Sequence, residues 1–91
     1  MSKRAYVIKV DGTVSELDHL PTLEEAQKIV GGWVEFVTVA PGIRLVVDEG
    51  GKLKGKPVNK DITSTYGPKI YGGYIVGDVL VLEGWRTLAP S

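Results

Sequence analysis

Gly50-Gly51-Lys52-Leu53-Lys54-Gly55-Lys56 has the spacing of a phosphate-binding loop: glycine, four residues, glycine, lysine. In such a loop the glycines let backbone N–H groups approach phosphate oxygens, and the lysine supplies positive charge. The apolar run Ile43–Val47 even precedes it, as a strand would. The next residue decides against the motif. Magnesium needs a Ser or Thr hydroxyl there, and this chain has Pro57, which also biases Lys56 away from helical geometry. A chain of 91 residues is also too short for the parallel sheet on which such a loop sits. A nucleotide hydrolase is set aside.

What remains is charge. Lys52, Lys54, Lys56 and Lys60 lie within nine residues, and Asn59 sits among them. Lysines two apart project from one face of an extended segment, so they can contact the phosphates of a nucleotide, a phosphorylated ligand or a nucleic acid. Asp48, Glu49 and Asp61 flank them and offset part of the field. The plainer reading is a solvated basic hairpin tip. On that reading, removing Lys54 or Lys56 leaves stability nearly unchanged, because exposed charges contribute little.

Other reactive side chains are sparse. His19 is the only histidine and lies just before a helix signal, with no Gly-x-Ser-x-Gly elbow for a serine triad and no cysteine for a metal cluster. Glu35 and Glu83 interrupt apolar strands, and facing carboxylates can do acid–base work. The outward face of a half-buried sheet also needs carboxylates, and that explanation is sufficient. Tyr66, Tyr71 and Tyr74 alternate with Gly67, Gly72 and Gly73. Such a loop can stack on bases or fill a partner's pocket, or it can cover one end of a small core with its hydroxyls in water. The candidate ligand contacts are therefore Lys52, Lys54, Lys56, Asn59, Lys60, Tyr71 and Tyr74. No catalytic residue, metal ligand or cofactor site is among them.

The elements that must position these residues are legible in part. Arg4–Val10 carries apolar groups on both faces and reads as an interior strand. Asp11-Gly12 signals a hairpin turn of the kind with positive φ at both positions, returning as a polar edge strand over Thr13–Leu17. Thr22-Leu23-Glu24-Glu25 is a capping box, and Leu23, Ala26, Ile29 and Val30 form the stripe of a helix that Gly31-Gly32 ends. Trp33–Ala40 and Ile43–Val47 read as strands joined at Pro41-Gly42. Asn59 is a good N-cap for a short helix over 60–66. Tyr74–Val76 and Val79–Glu83 suggest a further hairpin turning at Gly77-Asp78, or else a single bulged strand.

These elements predict a small α+β domain with a mainly antiparallel sheet of about five to seven short strands. The main helix over 22–30 lies on one face, with Val7, Ile8, Val34, Phe36, Leu45, Val47, Val79 and Val81 in the core. One domain over 1–83 and an extension over 84–91, pinned by Trp85, are expected.

Composition bounds the function. A chain this short buries roughly 60–65% of its unfolded surface, and with no cysteine it has no disulfide to reinforce it. Eleven basic and eleven acidic residues give zero net charge, against the basic excess of a dedicated nucleic-acid binder. The N-terminal apolar run is broken by Lys9, and no apolar stretch reaches membrane-spanning length, so a soluble protein of the cell interior is expected. Asn59, Gln27 and Met1 are the only residues of their types, a scarcity that fits a heat-adapted source.

Three stretches, YVIKVDGTV, LPTLEEAQKIVGGWVEFV, and VVDEGGKLKGKPVN with IVGDVLVL, occur in this order over roughly residues 5 to 83. In them the chain resembles a family of small domains of phage, plasmid and prokaryotic genomes, domain of unknown function 3846. The resemblance implies a fold rather than a reaction. It also implies the setting of viral and mobile-element accessory proteins, which often bind a host protein or sequester a ligand. The leading expectation is a non-catalytic binding module whose partner is a host protein or a second copy. The exposed edge at Thr13–Leu17 is its first candidate surface. The alternative is a phosphate or nucleic-acid binder working through the lysine loop.

Overall fold

The computed structural model describes residues 3–70 and 72–91. Among the described residues five strands form one antiparallel sheet: β1 (Arg4–Ile8), β2 (Val14–Glu16), β3 (Val34–Ala40), β4 (Ile43–Asp48) and β5 (Val79–Glu83), in the order β2-β1-β5-β4-β3. Two hairpins are thus joined by the last strand, which inserts between them. Val79, Leu80, Val81 and Leu82 of β5 are completely buried. An unbroken apolar run is what a strand covered on both faces requires.

The two faces have different covers. Helix α1 (Leu23–Val30) lies on one, where Ala26 and Ile29 pack with Ala5, Val7, Val46, Leu80 and Leu82, and Val30 is buried as well. Leu23, expected on the same stripe, is instead 47% exposed on the first turn. The capping box forms as the sequence predicts, with Thr22 accepting from the Glu25 N–H and Glu25 accepting from the Thr22 N–H. Helix α2 (Lys60–Tyr66), a 3-10 turn (Gly67–Lys69) and the following loop cover the other face. There Ile62, Ile70 and Ile75 meet Tyr6, Leu45, Val47, Val79 and Val81.

Two turns differ from expectation. Only glycines take positive φ among the described residues, so Asp11 does not, whereas Gly12 has φ 89. The Gly12 N–H donates to the Lys9 carbonyl and the Lys9 N–H to the Thr13 carbonyl, which is a three-residue hairpin loop closed by a left-handed glycine. The Asp11 carboxylate accepts from the Thr13 N–H and so braces the turn. No hairpin forms at Gly77-Asp78. Val76 bridges Val58 instead, and Gly77 donates to the Pro57 carbonyl. The short segment before β5 is used to anchor the lysine loop.

The C-terminal residues pack on the domain. Leu88 is buried against the α1 cluster, and Ala89 bridges Thr22 and donates to the Pro21 carbonyl. Among the described residues no helix is long and apolar enough to cross a membrane.

Candidate functional site

Two side chains of the lysine loop turn back onto Asp48. Asp48 ends β4 with its side chain only 1% exposed, and three donors meet it there. Lys54 Nζ lies 2.9 Å and Lys56 Nζ 2.7 Å from Oδ2, while the Gly50 N–H donates to Oδ1 at 2.9 Å. The same ammonium groups reach the end of α1, Lys56 donating to the Val30 carbonyl at 2.6 Å and Lys54 to the Gly31 carbonyl at 3.1 Å. The last carbonyls of a helix lack intrahelical partners and carry partial negative charge, so a cation there is favourable. Burial pushes the Asp48 carboxyl up, but Lys56, Lys54 and the Gly50 N–H outweigh it and hold the group at about 2.

This clasp corrects the picture of a solvated basic tip for Lys56, whereas Lys54 is paired but has a side chain still 48% exposed. Three of the four glycines around the clasp, Gly31, Gly32 and Gly51, have no latitude for a side chain. Gly31 caps α1 at φ 81, where a side chain would be strained. A Cβ on Gly32 would stand 2.5 Å from Asp48 Oδ1 and 2.6 Å from Lys54 Nζ. A Cβ on Gly51 would lie 2.9 Å from Val76 Cγ2. These glycines admit a close approach of protein to protein, the same property that in a phosphate loop admits an anion.

Asn59 is completely buried. Its carbonyl oxygen caps α2 by accepting from the Ile62 N–H at 3.2 Å. Its amide donates to the Ile8 carbonyl at 2.9 Å and the Gly77 carbonyl at 3.0 Å, and its backbone N–H to the Ile75 carbonyl at 2.8 Å. One side chain therefore ties β1, α2 and the entry to β5. The capping expectation holds, and the amide also reaches Ile8 and Gly77.

Lys52 and Tyr74 come together, with the ammonium 4.0 Å from the ring centroid. Lys60 is exposed on the first turn of α2 and has no ion-pair partner among the described residues. Tyr71 lies outside the described residues. Of the six candidates among the described residues, Lys54, Lys56 and Asn59 make contacts within the fold, and Lys52, Tyr74 and Lys60 lie at the surface.

His19 and Glu83 pair within the fold. His19 bridges Asp18 and Glu25 at 2.6 and 2.8 Å, and these carboxylates raise its pKa. Glu83 accepts from the Tyr6 hydroxyl and lies 3.6 Å from Arg4, and burial together with this bond raises the Tyr6 pKa. Glu83 pairs with Ile43 at one end of the sheet and Glu35 with Val47 towards the other, so the two carboxylates do not face each other. Among the described residues no group of three His, Cys, Asp or Glu side chains is arranged to hold a metal.

The accessible surface that stands out is the free edge of β3. The Glu49 N–H donates to the Trp33 carbonyl at 2.8 Å, which sets the phase of the β3–β4 ladder. In an antiparallel pair bonded and non-bonded residues alternate, so Glu35 and Val37 bond β4, while the N–H and C=O groups of Val34, Phe36 and Thr38 point outward. β3 runs for seven residues with Glu35 its only charge. β2, the other edge, has three exposed residues and an Arg4–Glu16 ion pair beside it. Short, charged edges resist pairing with another chain; long apolar ones invite it.

Beside β3, on the α2 face, is a cavity of about 250 Å³ floored by Val37, Val47, Ile70, Ile75 and Val76. Leu53, 97% exposed, stands at its rim with Glu35, Glu49 and Lys52. Trp33, 75% exposed, precedes the strand. Sequence reasoning had Trp33–Ala40 as a strand but no means of telling that β5 would insert between the hairpins and leave β3 outermost.

No curated protein and no solved structure matches the chain. The sequence profile described as Domain of unknown function (DUF3846) does match, over residues 2–87. That span takes in every strand, both helices, the clasp and the β3 edge, and the chain belongs to this family.

Proposed function

We propose that the protein is a non-catalytic accessory module, of the viral or mobile-element kind, that engages a protein partner along the free edge of β3. The observation that carries this is the seven-residue strand with three outward backbone positions, Val34, Phe36 and Thr38, directly beside an apolar cavity. Strand addition to a sheet edge supplies main-chain hydrogen bonds, and an adjoining pocket supplies selectivity. Exposed Trp33 and Leu53 flank the edge, and large exposed side chains of this kind anchor protein interfaces. The alternative, phosphate or nucleic-acid binding by the lysine loop, retains Lys52 and Lys60, because Lys54 and Lys56 are committed to Asp48.

Proline offers a selective block. At Thr38 it removes an outward N–H that no ladder bond uses, and edge strands tolerate proline at such positions. Affinity capture from the native host should recover partners with the wild-type protein and with Val14→Pro on the β2 edge, and lose them with Thr38→Pro. Equal recovery by all three proteins, or recovery of chaperones alone, would overturn the proposal.

A further inference from the structure

The cavity and its rim specify what kind of strand fits, an inference that rests on the edge-docking reading above. A chain pairing with β3 places the residues opposite Glu35 and Val37 on the same sheet face as those two side chains. That is the face of the cavity. An apolar void of about 150 Å³ accommodates a benzene molecule. A cavity of about 250 Å³ therefore has room for an aliphatic or aromatic side chain. Val37, Val47, Ile70, Ile75 and Val76 give such a side chain apolar contacts, while the polar part of the lining comes from Glu35, Asp48, Glu49 and Lys52.

The rim is acidic towards the edge. Glu35 and Glu49 both line the cavity, and neither has an ion-pair partner among the described residues. The one cation at the same rim, Lys52, lies over the Tyr74 ring. Lys54 and Lys56 are held on Asp48 and turned towards the end of α1. A cation arriving with the partner strand would find two unpaired carboxylates where it emerges from the cavity mouth.

We infer that the ligand is an extended peptide segment carrying one bulky apolar residue with a lysine or arginine within two positions of it. The apolar side chain enters the cavity, the basic side chain meets Glu35 and Glu49, and the backbone pairs with Val34, Phe36 and Thr38.

The test is selection of a phage-displayed random peptide library on the full chain, with counter-selection on the Thr38→Pro protein. Enriched peptides should share the apolar–basic pattern, and a synthetic consensus peptide should protect the amides of Val34, Phe36 and Thr38 from hydrogen exchange. Its affinity should fall about tenfold or more with Glu35→Lys or Glu49→Lys, as reversal of a complementary charge at an interface does. Val37→Phe, which fills the cavity and should leave the domain folded, should weaken it comparably. Peptides that protect the β3 amides but lack a basic residue, or bind these variants unchanged, overturn the inference and leave edge docking standing. Enriched peptides that protect other amides overturn both. A library that yields no binder overturns the inference, and edge docking is then decided by the capture experiment with Thr38→Pro.

Discussion

Replacing Lys56 with methionine keeps the length and apolar stem of the side chain and removes only its charge. In the wild type that charge lies 2.7 Å from Asp48 Oδ2 and 2.6 Å from the Val30 carbonyl, with the side chain 24% exposed. A hydrogen bond to a charged group contributes about 1.5–3 kcal/mol, and a buried carboxylate deprived of a partner costs more than the bond alone. Lys54 remains at 2.9 Å to neutralise Asp48, so the loss stays well below that of an isolated buried charge. The expected cost is about 2 kcal/mol at neutral pH, or a fall of about 8–16 °C in the melting temperature of a domain this size. The wild type supplies a second check. Asp48 has a folded-state pKa of about 2 against 3.8 unfolded. Its contribution is thus complete above the unfolded value and is lost as pH falls towards the folded one, amounting to about 2 kcal/mol. Asp48→Asn should show a flatter acid limb. Chemical denaturation of the three proteins between pH 7 and pH 2 measures all of this. Lys56→Met within about 0.5 kcal/mol of wild type, the range of an ordinary surface substitution, would refute the clasp.

Asn59→Ala should cost about 2–4 kcal/mol, more than the roughly 1 kcal/mol of a lost cap, because the Ile8 and Gly77 carbonyls also lose their donor; equilibrium urea unfolding measures it. Gly32→Ala should destabilise by about 1–3 kcal/mol although its φ is not in the glycine region, since the methyl group would displace Asp48 and Lys54. Combining Gly32→Ala with Lys54→Ala should recover part of that loss in the same assay.

The sequence carried the local structure well wherever one side chain sufficed to fix it. Thr22 with Glu25, Gly31, Pro41-Gly42 and Asn59 all act on backbone a few residues away, and their signals are local. It carried the long-range pairing poorly. Nothing in Val79–Glu83 says which strands it joins, yet its insertion between β1 and β4 determines that β3 is an edge. The lysines show the same limit. Their spacing reads as a basic face only if the segment is extended, and it instead runs as consecutive turns from Asp48 to Lys56, bringing Lys54 and Lys56 back over the carboxylate. Aspartate at the end of an apolar strand, followed by two glycines and alternating lysines, was legible only as charge near charge. That Asp48 is buried depends on α1, brought there by residues far away in the chain.

Amide hydrogen exchange along β3 bears most directly on the claim that this strand is the docking edge. In the free protein the Glu35 and Val37 amides, bonded to β4, should exchange slowly, while those of Val34, Phe36 and Thr38 exchange fast. On adding a partner recovered with the wild-type protein, these three should slow together. Protection of Val34, Phe36 and Thr38 in the free monomer, or no change in them when the partner binds, would contradict it.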